Sequence, residues 1–268
     1  MSNTFRRTGE LKSIGSYPVW LQRVVQETAP QKRRVVEHAV FRQMRDARLP
    51  LPAMQRFMVG IWPTIEQFPR FMSMNLRKAG YGEDAGTDMA RSYLIHNIRV
   101  EQKHAEHWAT WARAAGLSLD DLRAGVDTEE LQSLALWCWH VCDTAELAVA
   151  MAATNFAVEG ATGEWSCMVC SQDTYAKSLP EDIRVPAMRW LKVHAQYDDS
   201  HPWEALDVVA TLLGHAPAPA VIAQVRQAIR TSYRYMELAL DSAMRASIHD
   251  TFDDEVVSNA STLVLDAA

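Results

Sequence analysis

Residues 192–201 read KVHAQYDDSH, so His194, Asp198 and His201 recur at i, i+4 and i+7. At about 100° per residue on a helix, Asp198 falls about 40° to one side of His194 and His201 about 20° to the other, while Asp199 falls about 140° away. Two imidazoles and a carboxylate converging over two turns form a metal-ligand arrangement, although a polar stripe with chance histidines has the same spacing. Residues 101–104 read EQKH. Glu101 and His104 are the carboxylate–imidazole pair that bundle-core di-iron proteins place on adjacent turns. Only one such unit is present, whereas ferritin-like sites carry two. His96 and His107 lie close by in sequence and read as supporting or core histidines.

Two glutamates stand where a solvated charge is unexpected. Glu159 follows the apolar run AATNFAV, and Glu66 sits inside GIWPTIEQF. Taken singly, each reads equally well as a hydrogen-bonded core carboxylate. Taken together, Glu66, Glu101, Glu159 and Asp198 supply four negative charges to a helical core, which would be prohibitive to bury unpaired. Two divalent cations would cancel them, with His104, His194 and His201 as neutral nitrogen ligands. Mixed oxygen and nitrogen donors suit iron or manganese better than zinc.

The elements that must position these groups are helices. Apolar residues recur with a helical period nearly throughout, and no alternating strand pattern stands out. The pattern predicts helices over 17–27, 32–48, 53–79, 88–115, 128–177, 180–214 and 218–251, with a short capped helix after Ser118. Pro63 and Pro69 predict a kink or break in the third. Further irregularities are expected near Asp143-Thr144 and at Gly160 and Gly163. Residues 1–12 read as an N-terminal extension and 253–268 as a tail. With no internal repeat and no Gly-, Ser- or Pro-rich linker, 1–268 reads as one all-α domain.

Composition narrows the function classes. Of 268 residues, 48% are hydrophobic and 22% charged, which is too apolar for a disordered chain. The net charge of -6 and the absence of a basic stripe argue against nucleic-acid binding. Residues 1–10 lack the apolar core of a signal peptide. The most apolar stretch, 134–151, is interrupted by His140, Asp143 and Glu146, so no membrane span is expected. Cys138, Cys142, Cys167 and Cys170 fall at helical spacings in apolar runs and read as buried free thiols, which points to a reducing, cytoplasmic setting.

On these residues the sequence resembles the haem-oxygenase-like di-metal oxidases. These are seven-helix proteins without haem whose signature His-x3-Asp-x2-His is matched by His194, Asp198 and His201. Glu101 and His104 match the family's middle-helix pair, Glu66 its first core glutamate and Glu159 its third. Within that family the chain is most similar to the UndA-type fatty-acid decarboxylases. The stretches that carry this likeness are KRRVVEH (32–38), NIRVE (97–101), EGATGEW (159–165), HAQYDD (194–199) and HPWEAL (201–206). The likeness covers roughly residues 4–214.

The resemblance implies a single-domain seven-helix bundle holding Fe(II), two ions in the full site, with O2 as co-substrate and an external electron donor. The reaction implied takes medium-chain fatty acids such as dodecanoate to CO2 and terminal alkenes such as 1-undecene. Glu101, His104 and His194 would surround one iron and serve as the catalytic set. Glu66, Asp198 and His201 would hold the other, with Glu159 a candidate bridge. Phe68, Met72, Trp190 and Tyr235 are candidates to line an alkyl tunnel. Two alternatives remain. One is an oxidase of the same superfamily acting on an amino acid or amine, which would want an Arg or Lys near the metal. The other is a thiamin-salvage-like protein, which would use a cysteine rather than a metal.

Overall fold

The computed structural model describes residues 13–125, 128–197 and 201–265, and among them there is no strand. After a 3-10 turn at Ile14–Ser16 come α1 (Val19–Val36), α2 (Ala39–Arg45), α3 (Leu51–Leu76), α4 (Ala85–Glu101) and α5 (His104–Ala114). Next follow α6 (Leu119–Ala124), α7 (Glu129–Thr144), α8 (Leu147–Met151), a π-helical segment at Ala152–Val158 and α9 (Glu159–Cys170). The chain ends with α10 (Thr174–Ser178), α11 (Glu181–Ala187), α12 (Arg189–Tyr197), α13 (His201–Leu213) and α14 (Pro219–Leu265).

Local chemistry explains many of these boundaries. The Asp84 carboxylate accepts from the Gly86 and Thr87 amides and starts α4. Ser118 and Asp121 form a reciprocal capping box at α6. His38 accepts from the Val40 amide at 3.3 Å to start α2, and its other ring nitrogen lies 3.1 Å from Asp241 on α14.

Several boundaries differ from those read in the sequence. α1 runs through Pro30, and α3 runs through both Pro63 and Pro69 without a break. Each interior proline removes one backbone hydrogen bond. α3 tolerates two because α4, α5, α7 and α14 all pack along it, so tertiary contact offsets the lost bonds. The expected helix over 88–115 is two helices, interrupted at Gln102 and Lys103. The irregularity expected at Gly160 and Gly163 lies just before them, as the π-helical segment. Pro202 is not interior, since α13 begins at His201 and a proline in the first turn costs no hydrogen bond. α14 continues to Leu265, through residues read as a tail.

α3, α7 and α14 pack against one another, with α1 beside α14. α9 packs against α12, and α13 crosses α4 and the π-helical segment. Between these groups lies an aromatic core in which Trp108, Trp111, Trp190, Phe41 and Phe57 are fully buried. No helix among the described residues is long and apolar enough to cross a membrane.

The α4–α13 contact depends on a missing side chain. A Cβ on Gly86 would come within 2.9 Å of the Leu212 amide nitrogen and 3.0 Å of its Cα, backbone atoms that cannot rotate away. Alanine is normally about 1 kcal/mol better than glycine inside a helix. Gly86→Ala should instead destabilise by about 1–3 kcal/mol through overpacking. Urea unfolding checks this: an unchanged or raised midpoint would show that α4 and α13 are not locked at this separation.

Candidate metal centre

Five of the seven side chains singled out in the sequence converge in the interior. Glu101, His104 and His194 each offer a ligand atom within 4.8 Å of the others, and so do Glu101, Glu159 and His201. Glu101 belongs to both groups, so the two candidate positions are adjacent and share one carboxylate. All five residues are at most 5% exposed.

Breaks in the helices place them. Glu101 is the last residue of α4 and His104 the first of α5. The intervening turn holds the Glu101 Oε2 and His104 Nδ1 atoms 2.6 Å apart. That contact lacks hydrogen-bond geometry, and Nδ1 has no other partner. Glu159 is the first residue of α9, immediately after the π-helical segment, whose wider turns reset the helix phase. His201 begins α13.

Hydrogen bonds orient the ligand candidates. His194 Nδ1 lies 2.8 Å from the Trp190 carbonyl, an acceptor only, so Nδ1 carries the proton and the other ring nitrogen keeps its lone pair. Burial, then the neighbouring His104, pushes the His194 imidazole well below its ordinary value and keeps it neutral; the bond to Trp190 opposes this only partly. His201 Nδ1 sits 2.9 Å from Glu159 Oε1. Burial pulls the His201 imidazole down, but the hydrogen bond and charge of Glu159, with Glu101 and Glu204, outweigh it and raise the group above its ordinary value. The other Glu159 oxygen accepts from Asn155 Nδ2 at 3.3 Å, and the Tyr93 hydroxyl shares its proton between that oxygen at 3.5 Å and the His201 carbonyl at 3.3 Å.

Asn155 and Tyr93 were not singled out in the sequence. Asn155 had a signal, a lone amide four residues before Glu159 in an apolar run. Tyr93 had none, because its contact crosses from α4 to α9.

The structure does not bring Glu66 into either group. Its side chain is 34% exposed and pairs with Arg70 at 3.3 Å. Its neighbours Thr64, Ile65 and Phe68 face the site cavity, and one further residue turns the side chain about 100° away from that face. Asp198 lies outside the described residues. His96 and His107 flank the groups without belonging to either. Cys138 and Cys142 are buried free thiols as expected, but Cys167 is exposed and Cys170 half-buried, on the outer part of α9.

Among the described residues no Lys or Arg pairs with Glu101 or Glu159, although both carboxylates are buried. Two desolvated carboxylates facing three imidazoles, one of them held neutral with its lone pair free, fit a cation of charge two or more. The all-oxygen-and-nitrogen donor set fits iron.

The same cavity is lined by Thr64, Ile65, Val158, Thr162 and Trp190. These five also line a second cavity, which continues between Phe41, Phe57, Trp165, Leu134, Met236 and Leu240. The two small cavities therefore share a wall of five residues, one with a polar lining and the other with an apolar one. Trp190 lines both and Phe68 the polar one, whereas Met72 and Tyr235 line neither.

A family model described as iron-containing redox enzyme matches residues 55–235, a span that holds all five converging side chains. The chain belongs to this family. A TenA homologue from Pseudomonas syringae pv. tomato is 48% identical, covering 91% of this chain and 100% of its own, with a TM-score of 0.86. A domain with a heme oxygenase-like fold from Shewanella denitrificans is 12% identical over 85% of this chain and 93% of its own, with a TM-score of 0.67. A TenA homologue from Pyrococcus furiosus is 15% identical over 84% of this chain and 100% of its own, with a TM-score of 0.66. At such identities these last two establish the fold alone, which is haem-oxygenase-like. A search of curated proteins finds no match.

Anaerobic titration with Fe(II) tests the ligand set. His104→Ala and His194→Ala should each weaken iron binding by about tenfold or more. Glu66→Gln should bind as the wild type does, since its carboxylate lies outside both groups. Iron loss in Glu66→Gln would place Glu66 back in the centre.

Proposed function

We propose that this protein is an O2-dependent, non-haem iron decarboxylase that converts medium-chain fatty acids to terminal alkenes and CO2. The observation that carries the reading is the pair of adjoining cavities, which in this reading open into one passage. One end presents buried carboxylates and imidazoles, the other is walled by aromatic and aliphatic side chains, and neither is lined by a Lys or Arg. A fatty acid has the same polarity profile. The apolar walls offer no partner to a substrate whose body carries charged or polar groups. The likeness of 97–101, 159–165 and 194–206 to the UndA-type decarboxylases supports the same choice.

Glu101, His104 and His194 hold one iron in this reading, and Glu101, Glu159 and His201 take part in holding a second. Bound iron supplies the reduction of O2. The chain's own residues do the rest. The apolar walls hold the alkyl tail, exclude water and fix the carbon β to the carboxylate at one distance from the polar end. Asn155 and Tyr93 hold the Glu159 carboxylate in place through their hydrogen bonds. Loss of CO2 and formation of the double bond release two electrons and two protons from the fatty acid. Reduction of O2 to two waters takes four of each, so a donor must provide the other two electrons. A reducing compartment suits both Fe(II) and the four free thiols.

The name of the Pseudomonas syringae relative raises a thiamin-salvage reading, which would use a cysteine nucleophile. No cysteine lines either cavity, and burial pushes the Cys142 thiol up to about 11, out of thiolate range near neutral pH.

The test is anaerobic reconstitution with Fe(II), addition of dodecanoate, O2 and a reductant, and assay of the headspace. 1-Undecene is expected, with loss of product in His104→Ala and His194→Ala. No alkene from decanoate, dodecanoate or tetradecanoate would rule the decarboxylase out.

A further inference from the structure

Four indoles crowd the His194 end of the site. Trp190 stacks on His194 with ring centres 3.8 Å apart and 30° between planes. Trp111 and Trp165 stack on Trp190 at 5.6 and 5.3 Å, and Trp108 meets it edge-on at 4.7 Å. Trp111 continues outward, its indole N–H donating to the Tyr175 hydroxyl at 2.7 Å. Tyr175 is itself buried, but residues 171–174 just before it and Lys177 just after it are exposed. Trp165 leads instead to Phe41, stacked at 4.3 Å, whose phenyl ring is far harder to oxidise.

Packing alone does not account for this choice of rings. Trp190 is fully buried, yet its indole N–H has no acceptor. A buried unsatisfied donor costs about 1–3 kcal/mol. A phenyl ring would fill the same layer without that cost. What an indole adds is a low oxidation potential, and tunnelling between rings in van der Waals contact is fast because coupling falls exponentially with separation.

We propose that Trp190 and Trp111 form a one-electron relay between the metal centre and the edge of the core at Tyr175, beneath the exposed residues around α10. The relay rests on the iron reading above. When O2 is reduced at the centre with no fatty acid in the passage, Trp190 gives up one electron to the oxidised iron and becomes a radical cation. Trp111 refills Trp190, and a one-electron reductant in solution, such as ascorbate, refills Trp111 by tunnelling across the thin layer of Tyr175 and its exposed neighbours. One electron enters for each that leaves, and no proton moves. The Trp190 N–H has no acceptor to take its proton, and the Trp111 N–H faces a neutral phenol. Burial pushes the Tyr175 phenol up, so it keeps its proton and resists oxidation itself. The relay thus empties a stranded oxidising equivalent before it attacks Glu101, His104 or His194.

Freeze-quench electron paramagnetic resonance tests this. Protein loaded with Fe(II) is mixed with O2 in the absence of fatty acid, while iron content and O2 uptake are measured on the same sample. The wild type should show an organic radical whose line shape changes with ring-deuterated tryptophan and not with ring-deuterated tyrosine. Trp190→Phe should lower its yield at least tenfold with iron content unchanged. Trp111→Phe should leave the radical on Trp190, where nearby iron speeds its relaxation, and should slow its removal by ascorbate. Normal iron loading and O2 uptake with no organic radical, or an equal yield in Trp190→Phe, would overturn the relay alone. Failure to bind iron or consume O2 would remove the iron reading and the relay with it.

Discussion

Two carboxylates taken out of water without a Lys or Arg beside them are the constraint on which this structure turns. Glu101 and Glu159 are each 5% exposed and, among the described residues, face imidazoles rather than Lys or Arg. Removing an ionised carboxylate from water costs several kcal/mol even after relaxation. Hydrogen bonds from Asn155 and Tyr93 offset part of that for Glu159. A metal ion at the two converging groups would compensate the remainder, in keeping with membership of an iron-containing redox family. The tautomer of His194 follows from the same demand, since its bonded Nδ1 leaves one nitrogen aimed at the group.

The helices bend to this requirement more than to their own propensities. Four of the five converging residues stand at a helix end: Glu101 closes α4, His104 opens α5, Glu159 opens α9 and His201 opens α13. A straight helix through 88–115, or a regular one through 147–170, would hold these side chains in a different phase. Irregular turns at a site are stabilised only where surrounding packing over-determines them. Here α3, α13 and α14 supply that packing, pressed against the interrupted elements on several sides. The prolines of α3 belong to the same balance, because a heavily packed helix can lose two hydrogen bonds and stay whole.

Much of the site was legible because metal ligands are polar residues in places where polarity is costly. Glu159 in its run of small apolar residues and the His-x3-Asp-x2-His spacing both stand out on those grounds, and each glutamate or histidine of the converging five was named from sequence. Glu66 showed the same contrast, yet it faces Arg70 on a partly exposed surface. An apolar run around a charge reveals that a helix is buried on average, and not which way one residue on it turns.

By itself, the sequence determined the helical class, the family through its spaced acids and imidazoles, and the chemistry those groups can support. These are local properties, set by residue type and by the fixed angle between neighbours on a helix. Only the tertiary structure decided that Glu101 belongs to both converging groups, that Glu66 pairs with Arg70 while its neighbours on α3 line the cavity, and that Trp190 lines both the polar and the apolar cavity. Those outcomes depend on the phase of one helix against another. That phase is set by breaks, a π-helical turn and close glycine contacts, whose effect appears only once the helices are packed.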